Sequence, residues 1–133
     1  MIGRTILTVL AFGVLCYLVW RLWKPVLAPK REVPKGKANL YFFHTDWCGF
    51  CKKAAPEWKK LEDYLGGNST FGTTVVTPVS INAETDRATS ELYEVTAYPT
   101  IKLETSTGLY EYKQAVTYDG LLQFLRQSLG NEV

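Results

Sequence analysis

Asn39–His44 (NLYFFH) is an almost continuous apolar run, and within a few residues the hydrophobic pattern changes its period. A short run with no polar alternate suits a strand covered on both faces. From Cys51 onward the apolar residues recur at three- and four-residue steps: Cys51, Ala54, Ala55, Trp58, Leu61 and Leu65. That spacing marks the buried stripe of a helix. Lys52, Lys53, Lys59, Lys60, Glu62 and Asp63 fall mainly off the stripe and read as its solvated face. Pro56 is expected to kink this helix, and Gly66–Gly67 to end it.

The rest of the body continues the alternation. Phe71–Thr74 leads into Val75–Asn82 (VVTPVSIN), a second strand that contains Pro78. Asp86–Glu94 reads as a short helix with Leu92 facing inward. Thr100–Thr105 and Tyr110–Lys113 are two β runs joined across Ser106–Gly108 as a hairpin. Asp119–Leu129 is a final amphipathic helix with Leu121, Leu122, Leu125 and Leu129 as its stripe and Gly130 as its stop. The order β-α-β-α-β-β-α indicates a layered α/β fold. About 100 residues bury a core without a metal or a disulfide scaffold, and three cysteines, an odd number, do not make such a scaffold.

The segment before this body is of another kind. From Thr5 to Trp20 there are sixteen residues without a charge, TILTVLAFGVLCYLVW. Extended over residues 2–23, with Arg4 and Arg21 near the ends and Tyr17, Trp20 and Trp23 as an aromatic belt, the run predicts one N-terminal transmembrane helix, retained rather than cleaved. Cys16 lies within it and reads as a small apolar residue. Residues 24–38, with Pro25, Pro29, Pro34 and Gly36, predict a basic, extended tether, and residues 39–133 the folded domain. The charges divide the same way. Residues 1–37 hold seven basic side chains and one acid, whereas the body holds eight basic and twelve acidic ones. An acidic body gives little support to nucleic-acid binding. The basic collar beyond the apolar run places the body on the cytoplasmic side by the positive-inside rule, a side that is normally reducing.

Cys48-Gly49-Phe50-Cys51 lies at the first strand-to-helix junction. Cys48 falls at the expected helix N-terminus, where unpaired N–H groups and the helix dipole favour a thiolate. Cys51, one turn later, lies on the inward stripe. This arrangement suits two-step exchange, in which an exposed Cys48 thiolate attacks a substrate disulfide and a shielded Cys51 resolves the mixed disulfide. His44, the only histidine, is either packing or a proton relay to the cysteines. Asp46 is either a solvated loop acid or a group that tunes Cys48. A structural zinc wants four ligands and CxxC supplies two, so no metal site is expected. Asn68-Ser69-Thr70 is a weak glycosylation signal.

Trp47-Cys48-Gly49-Phe50-Cys51-Lys52, then Ala55-Pro56-Glu57-Trp58, resembles the thioredoxin superfamily, most closely its protein disulfide isomerase branch. Val95-Thr96-Ala97-Tyr98-Pro99-Thr100-Ile101-Lys102 is similar to that family's second signature. The resemblance spans about residues 39–129. It implies a thioredoxin-like fold, a cis Pro99 facing the two sulfurs, a Tyr98 backbone open to a substrate strand, and Trp47, Gly49 and Phe50 lining the substrate surface. It implies no bound cofactor. The family usually carries a buried acid where this chain has Phe42, and a lysine near that acid where it has Pro78. The residue between glycine and the second cysteine is Phe50, neither the proline of thioredoxins nor the histidine of disulfide isomerases. The family's opening strand and helix have no counterpart before Asn39. Val75–Asn82 is therefore expected at the edge of a four-stranded mixed sheet, where Pro78 is tolerated.

Two functions follow. The first is a membrane-anchored thiol–disulfide oxidoreductase acting on protein substrates with thiols or disulfides, with the lipid bilayer as its other partner. The second is a non-catalytic thioredoxin-fold adaptor at a membrane, assembled with other membrane or capsid-type proteins, for example in a membrane-containing virion of a large DNA virus. The disulfide isomerase likeness favours a lumenal or extracytoplasmic body, against the flanking charges.

Overall fold

The computed structural model describes residues 1–22, 32–67 and 69–131. It divides into two compact units, Met1–Arg31 and Glu32–Val133. In the first, α1 covers Ile2–Leu22, with apolar side chains such as Val9, Leu10, Phe12, Val14 and Leu15 exposed. Among the described residues no helix is long and apolar enough to cross a membrane, so the expected transmembrane helix is not found there. Its uncharged run is sixteen residues, short of the roughly 20 that a span needs. Most of the expected tether, residues 24–31, lies outside the described residues, as do Trp23 and Asn68 of the glycosylation triplet.

The second unit contains β1 (Lys37–His44), α2 (Gly49–Leu65), β2 (Thr70–Phe71), β3 (Thr74–Asn82), α3 (Arg87–Leu92), β4 (Thr100–Thr105), β5 (Leu109–Tyr112) and α4 (Tyr118–Leu129). The strands form one mixed five-stranded sheet in the order β2-β3-β1-β4-β5. β1 runs parallel to β3 and antiparallel to β4, which places it at the centre. Its alternate residues enter two different cores, as the unbroken apolar run requires. Ala38, Leu40 and Phe42 face α2 and α4, packing with Trp58, Leu61, Leu121 and Leu125. Tyr41 and Phe43 face the other way and pack with Tyr93, Val79 and Ile81.

The sheet has one strand more than expected. β2 is only two residues long, too short to leave a period in the sequence. It joins β3 through Gly72, whose φ is +60° and where a Cβ would lie 2.7 Å from the Leu129 carbonyl oxygen. β3 is therefore not the formal edge. β2 pairs only with Thr74 and Val75, however, so β2 does not reach Pro78. Pro78 stands opposite Leu40 of β1, and its ring nitrogen, which has no hydrogen to donate, weakens no pairing with β2.

Two inward assignments fail. Leu92 is exposed, and Ser90 and Tyr93 are the buried residues beside it, because α3 is a helix of six residues that ends at Leu92. Ala55 is exposed on α2, whereas Cys51, Ala54, Trp58, Leu61 and Leu65 are buried. α2 runs through Pro56 from Gly49 to Leu65.

The face opposite α2 also buries charge. Alternation along β4 turns Lys102 and Glu104 to the side of Tyr41. The Tyr41 and Tyr93 hydroxyls both donate to Glu104 Oε2, at 3.1 and 2.9 Å. Lys102 Nζ donates to the Tyr93 carbonyl at 2.7 Å and lies 3.4 Å from Glu111. Burial, reinforced by the bonds to Tyr41 and Glu104, pushes the Tyr93 phenol well above its usual value, which keeps it a donor. A buried polar side chain is tolerated when it is hydrogen-bonded in this way.

Glu57 joins the two helices on the α2 face. Its Oε2 accepts the Tyr118 N–H at the start of α4, at 2.9 Å, and its Oε1 accepts Lys60 Nζ at 2.6 Å. The Lys60 bond first, then the Tyr118 N–H, lowers the Glu57 carboxyl below its ordinary 4.5. A lowered carboxyl adds stability above the unfolded-state value, and that stability is lost as pH falls through the folded-state value. Glu57→Gln is therefore expected to lower the melting temperature at pH 7, with the gap from wild type closing as pH falls below 4.5. Paired thermal melts at pH 7 and pH 3 check this.

Candidate functional site

The loop after β1 delivers the cysteine pair to the N-terminus of α2. Cys48 is the N-cap residue, with extended backbone (φ −74°, ψ 111°), and its sulfur accepts the Cys51 N–H at 3.1 Å. That N–H is one of the donors a helix start leaves without a partner in the helix. Cys48 and Cys51 form a disulfide with Cα atoms 5.2 Å apart. Both are buried, at 5% and 3% exposure. The expected contrast between an open Cys48 and a shielded Cys51 is thus absent in the oxidised state.

The second signature closes over the pair from β4. The Tyr98–Pro99 bond is cis, as the resemblance implied. Cys48 Sγ lies 3.6 Å from the Tyr98 carbonyl oxygen, across fifty residues of sequence. Trp47 and Phe50 rise beside the sunken disulfide at 70% and 72% exposure. The Trp47 ring meets Tyr98 edge-on, with centroids 6.4 Å apart, and Lys53 Nζ sits 5.8 Å over the Phe50 ring. Gly49 has open space where a Cβ would be. A groove of about 330 Å³ runs along one side, walled by Phe50, Pro99, Ile101 and Val116. Another of about 360 Å³ lies against Trp47, Tyr98, Glu84 and Arg87. Cys48, Cys51, Trp47, Gly49, Phe50, Tyr98 and Pro99 are therefore brought together at one end of the sheet.

His44 is half-buried behind this face, its ring stacked on Phe42 with centroids 5.2 Å apart. Phe42 in turn stacks on Trp58 at 5.1 Å. An aromatic column thus fills the place where the resemblance led one to expect an acid, with His44 at one end of it. It also lines a cavity that reaches Cys51. Asp46 is more than a solvated acid. Its N–H donates to Glu84 at 2.8 Å, and its carboxylate accepts from Asn82 at 3.1 Å, which pins the cysteine loop to the end of β3. Sequence reasoning missed Glu84, Asn82 and Thr45, since none belongs to a motif or a periodic stripe. Among the described residues no group of three or more His, Cys, Asp or Glu could hold a metal ion.

The thioredoxin family matches residues 30–127. A protein disulfide-isomerase of Datisca glomerata is 32% identical over 90 residues, covering 66% of this chain and 17% of that protein. The first thioredoxin domain of mouse protein disulfide-isomerase A4 superposes with a TM-score of 0.57 at 27% identity, over 68% of this chain and 61% of that one. Human ERp44 superposes with a TM-score of 0.60 at 20% identity, over 73% of this chain and 29% of that one, and shows the shared fold. The chain spans less than a fifth of the length of the disulfide isomerases it matches. With a family match over most of its length and both signatures meeting at one site, where the Tyr98 carbonyl faces Cys48, the chain belongs to the thioredoxin family.

Proposed function

We propose that this protein is a thiol–disulfide oxidoreductase that exchanges disulfides in protein substrates through Cys48 and Cys51. The observation that carries the reading is the placement of Cys48 Sγ, capped by the Cys51 N–H at 3.1 Å and facing the Tyr98 carbonyl oxygen at 3.6 Å. A helix N-terminus favours the thiolate that reduction creates. In the reduced protein that thiolate attacks one sulfur of a substrate disulfide. The S–S bond breaks, the distal substrate cysteine leaves as a thiolate, and a mixed disulfide forms at Cys48. Cys51 then loses its proton and attacks Cys48 Sγ. The Cys48–Cys51 bond forms, the second substrate cysteine leaves, and two electrons have passed to the substrate. The reverse sequence oxidises a substrate dithiol.

The remaining roles follow from position. Trp47 and Phe50 flank the sulfurs and contact the substrate, Gly49 leaves its approach open, and Tyr98 with Pro99 holds its backbone. His44, at the rear of the pair, takes up and returns the Cys51 proton. No cofactor is required, because the electrons move between sulfurs. The vestigial adaptor, with its capsid or virion partners, gains no support from relatives named as disulfide isomerases. The full chain is expected to reduce insulin with dithiothreitol as the electron source, read as turbidity of the released B chain. Cys48→Ser should lower that rate to the dithiothreitol background, and full activity in that variant would sink the reading.

We also propose that α1 attaches the enzyme to a lipid bilayer, with the thioredoxin-like domain on the cytoplasmic side. The sixteen uncharged residues, the basic residues beyond them and the exposed apolar side chains of α1 support this. The full chain should float with vesicles containing anionic lipid, whereas a chain lacking residues 1–23 should stay in the aqueous fraction. Equal partition of the two would contradict attachment.

A further inference from the structure

Among the described residues, two buried side-chain polar atoms have no hydrogen-bond partner, Thr45 Oγ1 and Trp58 Nε1. Their residues are 4% and 3% exposed. Buried donors are nearly always paired, so each such case calls for a reason. The two are far apart in sequence, one on the loop after β1 and one in the middle of α2, yet both line the same cavity of about 460 Å³, and Cys51 lines it with them. Trp58 follows Cys51 by two helical turns on the same buried stripe, and helix side chains lean back toward the N-terminus, which carries the indole toward Cys51. The stack on Phe42 holds that ring in place.

A disulfide offers these donors little, since its sulfurs are uncharged and only weak acceptors. Reduction changes the acceptor. The S–S bond breaks with uptake of two electrons, the sulfurs separate, and the cavity beside Cys51 leaves room for its Sγ to move. That sulfur is then a thiol or a thiolate, and a charged acceptor makes the stronger bond. We propose that Thr45 Oγ1–H and Trp58 Nε1–H are donors held ready for the Cys51 sulfur of the reduced protein, and that they raise the reduction potential of the Cys48–Cys51 pair. The inference rests on the exchange reading above and deepens it. The donors stabilise the reduced form, so they make the pair the better oxidant. They supply from behind the sulfurs a stabilisation that Phe50, between the cysteines, lacks the polar atoms to give. The charged and titratable side chains around the cavity, His44 from β1, Asp46 from the loop and Lys52, Lys59 and Glu62 from α2, stay constant in the comparison below.

The test equilibrates the full chain with glutathione at fixed pH. The oxidised protein and two glutathione thiols give the dithiol protein and glutathione disulfide, and alkylated Cys48 and Cys51 are counted by mass spectrometry. Thr45→Val keeps the shape and removes the hydroxyl. It should shift the equilibrium about three- to tenfold toward the disulfide, where tenfold is about 30 mV for a two-electron couple. Trp58→Phe should shift it the same way, and Thr45→Ser, which restores the hydroxyl, should return within about twofold of wild type. In the wild type the Trp58 indole N–H resonance should move downfield on reduction. If Trp58→Phe fails to fold, the two Thr45 variants decide. A wild-type potential in Thr45→Val overturns the inference and leaves the exchange reading standing. A wild-type pair that glutathione neither reduces nor reoxidises overturns the exchange reading and this inference with it.

Discussion

Burial of both faces of β1 is the constraint on which the rest of the structure depends. A strand with Leu40 and Phe42 in one core and Tyr41 and Phe43 in another must have partners on both sides and cover above and below. The parallel pairing with β3 and the antiparallel pairing with β4 meet the first requirement. α2 and α4 on one face, with Tyr93 and its neighbours on the other, meet the second. The C-terminal end of such a strand is fixed by its neighbours, and the loop leaving it inherits that precision. Thr45, Asp46, Trp47 and Cys48 are that loop. Asp46 adds its own ties to Asn82 and Glu84.

The chemistry sits where two independent pieces of chain converge. The N-terminus of α2 brings the sulfurs and an N–H aimed at Cys48. The cis peptide before β4 brings a backbone carbonyl to the same sulfur. Neither piece is a site alone. Helix starts are common and cis prolines are turn elements, but together they set the Cys48–Cys51 disulfide beneath a backbone edge. Trp47 and Phe50 stand exposed beside it. Large exposed aromatics of this kind suit the contact surface that the proposed exchange with a protein substrate needs, and grooves lie on either side.

Much of this was legible in the residues. The unbroken NLYFFH run located the central strand, although β1 begins at Lys37, two residues before the apolar run. The stripe on α2 was right at Cys51, Ala54, Trp58, Leu61 and Leu65 and failed at Ala55, where a small side chain fits either environment. The two motifs located the cysteines and the cis proline, since their residue types are demanded by chemistry. What stayed hidden depends on pairing across the sheet. β2 is too short to have a period. Burial of Lys102 and Glu104 follows from the strand register, which turns them toward Tyr41 and Tyr93. The buried donors Thr45 and Trp58 are visible only once the partners of each polar atom are known. The absence of an acid at Phe42 was read correctly, but the aromatic stack that replaces it depends on how α2 packs against β1.

The central claim is that Cys48 is the sulfur that bonds to substrate and Cys51 the one that releases it. The most direct measurement incubates the full chain carrying Cys51→Ser with an oxidised protein substrate, quenches in acid and sequences the disulfide-linked peptides by mass spectrometry. The account predicts that a stable mixed disulfide accumulates, with the bond at Cys48. A bond placed elsewhere in the chain, or no adduct beyond that of a Cys48→Ser control, would contradict it.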